Sequence, residues 1–361
     1  MDRRQPDHAP ETLWVVDFFC GAGGFTRGAL DAGAYVLAGL DRDPEVEETY
    51  LGNNRNRDGR RPGFLRNDLH EVEPSQILQA LDSAARPLAF VGCPPCQPFT
   101  NLKTDKTRSH DDRGALHRFL DFVEHFLPDY VVVENVPGIR SGKYGSLWRD
   151  AVSRLTAQGY QVREEVLDAK HYGVPQNRRR VLLVAARGAM PPWPSPTHTS
   201  QEPRTVRDTI IGLEPLEAGQ ASATDPLHVA SILSSLNLQR LRAIRTPGGS
   251  RNQWPEELGL ACYRSHTGHT DVYGRMHWYQ PAPTLTTRFV SISNGRFGHP
   301  EQDRAITPRE GALLQTFPRG YEFRAKARDT RVKHIGNAVP PLMARRVFEA
   351  IIAHAAQRNQ G

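Results

Sequence analysis

No apolar run in this 361-residue chain approaches the roughly 20 residues that a membrane-spanning helix requires. The first dozen residues are polar and hold no apolar core segment, so no secretory signal is expected. Cysteine is scarce. Four residues without a framework spacing argue against a disulfide scaffold and for a reducing compartment. A structural zinc site built on Cys93 and Cys96 would need two more ligands, and Cys20 and Cys262 stand alone. There is no internal repeat and no extended low-complexity tract. What remains is 38% hydrophobic and 24% charged, the balance of a globular enzyme, and the length predicts two domains. A net charge of +6 leans mildly toward polyanionic partners.

The stretch VGCPPCQPFT, residues 91–100, is the focus of the chain. Leu88 to Val91 reads as a buried strand end, and two prolines then stiffen the backbone ahead of Cys96. A thiol carried out of a strand on a rigid elbow, with a polar flank behind it, is presented rather than hidden. A core cysteine and a redox CxxC are the competing readings. The polar flank speaks against the first, and the absence of a helix opening at Cys96 against the second.

Upstream, Leu13 to Phe19 reads as a strand that runs into CGAGGFTRG, where Gly21, Gly23 and Gly24 permit a tight turn. A helix from about Phe25 to Ala32 and a strand from Tyr35 to Leu40 follow, ending at Asp41. Strand, glycine turn, helix, strand and acid form the layout of a nucleoside-binding doubly wound sheet. The spacing G-A-G-G is not G-x-G-x-x-G, and no later segment offers a hydride-transfer apparatus. The expected guest is therefore a nucleoside without a pyrophosphate, most commonly S-adenosylmethionine. Arg55 to Arg66 reads as a solvated loop, and Asn67-Asp68-Leu69 as a strand end placing Asp68 at the same sheet edge as Asp41.

After the Cys96 loop, residues 101–113 are polar and aperiodic and read as a flap. Its Lys103, Lys106, Arg108 and Arg113 could contact phosphate or simply face solvent. Helices are expected over 115–127 and 146–157, and strands over 130–133, 161–167 and 181–186. The strand over 130–133 delivers Glu134 at its carboxyl end, near Cys96, where ligands of such sheets sit. Alternation along the strand after Asn177 would send Arg178 and Arg180 to one face and Arg179 to the other. MPPWPSP, residues 190–196, marks a domain boundary. From Arg240 to His299, eight arginines face three acids in a loop-rich stretch. This suits groove readout of duplex DNA, with a generic β-rich accessory domain as the alternative. Pro308 to Thr316 and Leu342 to about Ala355 read as helices.

In order, the chain carries DFFCGAGG, Asp41, Asn67-Asp68-Leu69, GCPPCQPF, DDRGAL, ENV, QNRRR, PAPTLTT, TPREGALLQTFP and IGNAVPP. Together these resemble the cytosine carbon-5 DNA methyltransferase family of the bacterial type. The resemblance covers nearly the whole chain. It implies an α/β fold: a doubly wound, mostly parallel, Rossmann-like methyltransferase sheet with a smaller, loop-rich target-recognition domain. Residues 1–190 and 331–361 would be catalytic, and 191–330 would read DNA.

The resemblance further implies that Cys96 attacks carbon 6 of a flipped-out cytosine, making carbon 5 enamine-like so that it accepts a methyl group. Glu134, protonated at that stage, would bond ring nitrogen 3 and the exocyclic amine, and Arg180 would hold the 2-oxo group. Arg178 joins this catalytic set, and Asn135 would brace the Pro-Cys loop. Phe19, Gly21, Gly23, Gly24, Asp41 (ribose), Arg42, Asp68 (adenine amine), Leu69, Pro95, Leu116, Asn337, Ala338 and Val339 would hold S-adenosyl-L-methionine, with S-adenosyl-L-homocysteine as product and no metal. Thr100, Arg113, Arg275, Thr284, Leu285 and Arg288 would contact double-stranded DNA. A monomer in the bacterial cytoplasm, without membrane association, is implied. A restriction endonuclease encoded nearby is compatible with this reading, and no stable complex with one is implied. Two positions depart from the family pattern: Arg42 stands where a tryptophan often stacks on adenine, and Cys93 where glycine is more usual, a change expected to leave Cys96 unaffected. Rival readings are a transfer-RNA methyltransferase of the same fold, a catalytically idle DNA-binding regulator and a nicotinamide dehydrogenase. The first lacks its hallmark Cys-Phe-Thr triplet here, and the Thr284-Leu285 pair is typical of DNA readers.

Overall fold

A computed structural model describes residues 12–81, 87–95, 114–260 and 271–358. In chain order its elements are β1 (Trp14–Phe18), α1 (Gly24–Ala32), β2 (Tyr35–Leu40), α2 (Glu47–Asn53), β3 (Gly63–Leu65), α3 (Pro74–Leu81), β4 (Leu88–Gly92), α4 (Ala115–Phe126) and β5 (Tyr130–Asn135). Then come α5 (Gly145–Ala157), β6 (Tyr160–Asp168), β7 (Arg179–Arg187), α6 (Arg207–Ile210), α7 (Ser235–Arg242), α8 (Pro308–Leu314), α9 (Arg328–Asn337) and α10 (Pro341–Arg358). The chain forms two compact units. One comprises residues 1–168, 179–195 and 339–361, the other 169–178 and 196–338.

The first unit is built on a seven-stranded sheet in the order β3-β2-β1-β4-β5-β7-β6. The contiguous strands β3, β2, β1, β4 and β5 pair in parallel, and β7 inserts antiparallel between β5 and β6. β1, β4 and β5 are buried along their whole length, which explains why they read as apolar runs rather than as alternation, interrupted only by Asp17 in β1 and by Glu134 and Asn135 at the end of β5. β6 is an edge strand, and its exposed Arg163, Glu164 and Glu165 blunt that edge against pairing with another chain. Phe18, Phe90, Phe119 and Phe122 make the centre of the core, with Phe18 within 5.1 Å of both Phe90 and Phe119 by ring centroids. Strand order reverses between β1 and β4, so the carboxyl ends of these two strands form the crevice where such sheets hold ligands.

α10 returns from the far end of the sequence to lie on α1. A Cβ at Gly24 would stand 2.2 Å from the Val339 carbonyl oxygen, and one at Gly28 would stand 2.5 Å from Ala344 Cβ. Four residues apart, the two glycines lie on one face of α1 and let the start of α10 close onto it.

In the second unit, α8 begins with a reciprocal capping box between Thr307 and Glu310. Glu310 is also held by Arg304 through two 2.8 Å bonds, with both side chains almost fully buried. The Arg304 bonds outweigh burial and keep the Glu310 carboxyl below its ordinary range.

Several expectations change. The arginine-rich stretch 55–66 contains β3, which pairs with β2, so it is not wholly a loop. Asp68 ends no strand; it caps a short 3₁₀ turn, Leu69–Glu71, by accepting the His70 N–H at 3.1 Å. Residues 169–178 and 331–338 belong to the second unit because Gln176 and Arg178 bond there, to Leu314, Gln315, Leu285, Gly336 and Ala338. Among the described residues no helix is long and apolar enough to cross a membrane.

Candidate active site

Three segments of the first unit converge at the carboxyl edge of its sheet. The first is the turn after β1. Phe19 adopts φ +57°, Gly21 +49° and Gly23 +85°, so the chain reverses sharply before α1. Phe19 holds this conformation without being glycine, a local strain of about 1 kcal/mol. The Gly21 N–H donates to Asp41 Oδ2 at 2.8 Å, pinning the turn to the end of β2, and Asp41 Oδ1 accepts the Asp43 N–H at 2.9 Å. A Cβ at Gly21 would meet no atom within 4 Å, so the turn faces open space.

Beneath this turn sits Asp17, a carboxyl in the middle of β1 with 1% exposure. Its Oδ2 accepts the backbone N–H of Thr26 at 3.0 Å and the Thr26 hydroxyl at 2.7 Å, while its Oδ1 is buried without a partner. Burial dominates over the Thr26 bonds and raises the carboxyl to about 7. The Cys20 thiol, also buried, is pushed up by desolvation and then by the neighbouring carboxylates.

The second segment carries Arg42 and Asp68, whose side chains pair at 3.0 Å. Burial alone would raise Asp68, but the His70 N–H and the Arg42 guanidinium outweigh it and hold the carboxyl below its ordinary range. Arg42 therefore engages the very acid assigned to the adenine amine. Leu69 and Leu116 are part of the apolar core.

The third segment joins β4, β5 and β7. Gly92 of β4 lies opposite Val133 of β5, so the next residue on each strand, Cys93 and Glu134, are neighbours. Glu134 lies opposite Leu182 of β7, and Arg180, two residues from Leu182, shares its face. The outcome is a carboxyl gripped on both sides. Cys93 Sγ donates to Glu134 Oε2 at 2.9 Å, and Arg180 Nε lies 3.1 Å from Oε1 as an ion pair. Glu134 is 2% exposed. Asn135 Nδ2 donates to the Pro94 carbonyl at 3.1 Å, tying β5 to the prolines that precede Cys96. The Cys93 N–H reaches the Phe18 carbonyl at 3.4 Å, so the β4 loop also touches the end of β1. Pro95 is half-buried. Cys96, Thr100 and Arg113 lie outside the described residues.

The structure reassigns several of the expected residues. Arg178, expected in the catalytic set, is 2% exposed in the second unit, where its guanidinium donates to the carbonyls of Leu285, Gly336 and Ala338. Its role there is to knot loops together. Alternation failed because Arg178 precedes β7, so the strand rule does not reach it. Arg275, expected at DNA, directs its guanidinium into the fold. It is 4% exposed and donates to the carbonyls of Leu241, Ile244, His299 and Gln302 and to the Asp303 carboxylate. Leu285 is buried with its N–H on Gln176 Oε1, and the Thr284 hydroxyl donates to the Asn177 carbonyl, so both act within the fold here. Arg288 is exposed. Asn337 is exposed, Ala338 half-buried and Val339 buried. Two residues escape a sequence reading: Cys93, taken as inconsequential, and Asp17, whose only signal is an acid inside an apolar strand.

Among the described residues, no group of three or more metal-ligating side chains is present. The residues do fit a nucleoside: carboxylates at the ends of β2 and after β3, and a glycine turn opening onto free space.

Residues 13–353 match the family described as C-5 cytosine-specific DNA methylase. The chain is 40% identical over 342 residues to the Type II methylase M.HgiDII of Herpetosiphon aurantiacus, covering 93% of this chain and 94% of that protein. It is 31% identical to the Type II methyltransferase M1.HphI of Haemophilus parahaemolyticus, over 94% of this chain and 87% of that one. Among solved structures, it resembles a DNA modification methyltransferase encoded within an E. coli prophage. The TM-score is 0.71 at 20% identity, over 95% of this chain and 99% of the other. Spodoptera frugiperda DNMT2 shares the fold with a TM-score of 0.62 at 14% identity, over 94% and 99%.

Proposed function

Since this chain belongs to the C-5 cytosine-specific DNA methylase family and is a DNA cytosine-5 methyltransferase, we propose that it works through a covalent adduct between Cys96 and carbon 6 of a cytosine flipped out of duplex DNA. Carbon 5 of cytosine is too weak a nucleophile to be methylated unaided. Addition of the Cys96 thiolate to carbon 6 interrupts the ring's conjugation and turns carbon 5 into an enamine-like nucleophile. Negative charge builds on the pyrimidine as this bond forms. Glu134, protonated at that stage, would donate to ring nitrogen 3 and accept from the exocyclic amine, and Arg180 would reach the 2-oxo group, so the charge develops against fixed partners. S-adenosylmethionine, when bound, supplies an electrophilic methyl group to carbon 5. Loss of the carbon-5 proton and of the Cys96–carbon 6 bond restores the aromatic base and the free enzyme. A stacked duplex allows none of this, so the base must leave the helix.

Phe19 and the glycine turn would line the methionine and adenosine, Asp41 would take the ribose hydroxyls and Asp68 the adenine amine. Asn135 would hold the Pro94 carbonyl and so aim the loop that carries Cys96. Its relatives' names and its DNA substrate support a restriction-modification setting in the bacterial cytoplasm. The observation that carries the reading is the buried Glu134 held between Arg180 and Cys93, the latter three residues before Cys96 in the chain.

Cys96→Ser tests it. Methyl transfer from tritiated S-adenosylmethionine to duplex DNA should vanish, while cofactor binding by calorimetry stays intact. Retained turnover would remove Cys96 as nucleophile, and transfer to transfer RNA in place of DNA would overturn the substrate.

A further inference from the structure

We propose that Cys93 is a positioning residue for Glu134, a task that builds on the catalytic reading of that carboxyl. The grip has two halves drawn from different strands. Arg180, from β7, sits 3.1 Å from Oε1, and the Cys93 thiol, just beyond β4, donates to Oε2 at 2.9 Å. A glutamate has three side-chain torsions, and the last is broad and two-fold, so an ion pair to one oxygen leaves the carboxyl plane free to turn. A second contact on the other oxygen removes that freedom. It sets the plane in which the carboxyl can meet the edge of a pyrimidine.

A thiol is ordinarily a weak donor. Here it donates to a carboxyl with 2% exposure, where little water competes and electrostatic hydrogen bonds gain strength. Glycine at position 93 would supply no donor at all. The register explains the placement: Gly92 opposes Val133, so residue 93 is the one position after β4 that falls beside Glu134. Cys93 is also anchored through its own backbone, whose N–H meets the Phe18 carbonyl at 3.4 Å. The backbone that carries the thiol is thus held at the junction of β1 and β4. Cys93, just after β4, and Arg180, of β7, both face Glu134.

Cys93→Ala and Cys93→Ser in the full-length chain separate donation from simple packing. With unmethylated duplex DNA of mixed sequence and tritiated S-adenosylmethionine, Cys93→Ala should lower kcat about tenfold, the worth of one hydrogen bond to a charged group. KM for S-adenosylmethionine should stay unchanged, because the thiol donates to Glu134, a residue assigned to the base rather than to the cofactor. Cys93→Ser keeps a donor and should recover most of the lost kcat. A kcat for Cys93→Ala equal to wild type, or a serine variant no better than alanine, overturns the proposal.

A second readout does not depend on turnover. The Raman S–H stretch of Cys93, identified by its loss in Cys93→Ser, should move to higher frequency in Glu134→Gln, where an amide replaces the stronger acceptor. An unmoved stretch overturns the proposal. Full kcat in Glu134→Gln would instead overturn the catalytic reading of Glu134, so the two failures are told apart.

Discussion

Asp17→Asn should make the stability of this protein less sensitive to alkaline pH. In the native chain Oδ2 already accepts two bonds from Thr26, so the proton of the neutral form resides on the partnerless Oδ1. The folded carboxyl titrates at about 7 against an ordinary value of 3.8. The folded state therefore retains a proton that the unfolded chain releases between pH ~4 and ~7. Stability is highest below that window, falls as pH rises through it and levels off above it. Three units at 1.36 kcal/mol each make the full loss about 4 kcal/mol. Between pH 5 and pH 8 the portion lost is roughly 2–3 kcal/mol. Asparagine has the same shape, keeps an oxygen for Thr26 and cannot ionise. Its amide meets the same partnerless site, a penalty that is independent of pH and shifts the level of the curve but not its slope. Urea unfolding followed by tryptophan fluorescence at pH 5, 6, 7 and 8 reads the difference. The variant should gain on the native protein by that amount between the extremes, with equal denaturant slopes. Parallel curves across the range would refute the reasoning, since they would mean that Asp17 does not change its charge on unfolding.

Gly24→Ala should lower the thermal midpoint, because its Cβ would lie 2.2 Å from the Val339 carbonyl oxygen and backbone cannot swing aside. An overpacking cost of about 2 kcal/mol or more is expected, and an unchanged midpoint would contradict the close approach of α1 and α10. Arg275→Met should cost about 3 kcal/mol in urea unfolding by leaving the carbonyls of Leu241, Ile244, His299 and Gln302 without their donor. Folded Arg275→Met should bind DNA as the native protein does, and a changed sequence preference would restore it as a reader. Arg288→Ala, by contrast, alters an exposed cation. DNA affinity should fall, and the dependence of log K on log salt should shallow by about one in a filter-binding titration if the contact is to phosphate. An unchanged slope with altered sequence preference would assign it to a base edge.

The triplet Arg178-Arg179-Arg180 shows where the legibility of the sequence ends. A period of two puts Arg178 and Arg180 together, and both then look catalytic. Only Arg180 lies within β7; Arg178 precedes it and knots carbonyls of the other compact unit. Arg275 misled for a related reason: an arginine in a basic loop looks solvated until five acceptors are seen to surround it. Side-chain burial in loop-rich segments follows from contacts far apart in the chain, and no local period encodes them.

By itself the sequence determined the parallel strands, since β4, the first three residues of β1 and the first four of β5 are apolar runs covered on both faces. It determined too the family to which the chain belongs, because PPCQ, ENV and the glycine turn are local strings that can be read without the fold. The tertiary structure alone decided that β7 runs backward between β5 and β6, that an acid in β1 keeps a proton near neutrality and that a thiol at position 93 meets Glu134. Each of these depends on strand register and on distances of about 3 Å between residues distant in sequence, where a slip of one position would turn the side chain to the opposite face.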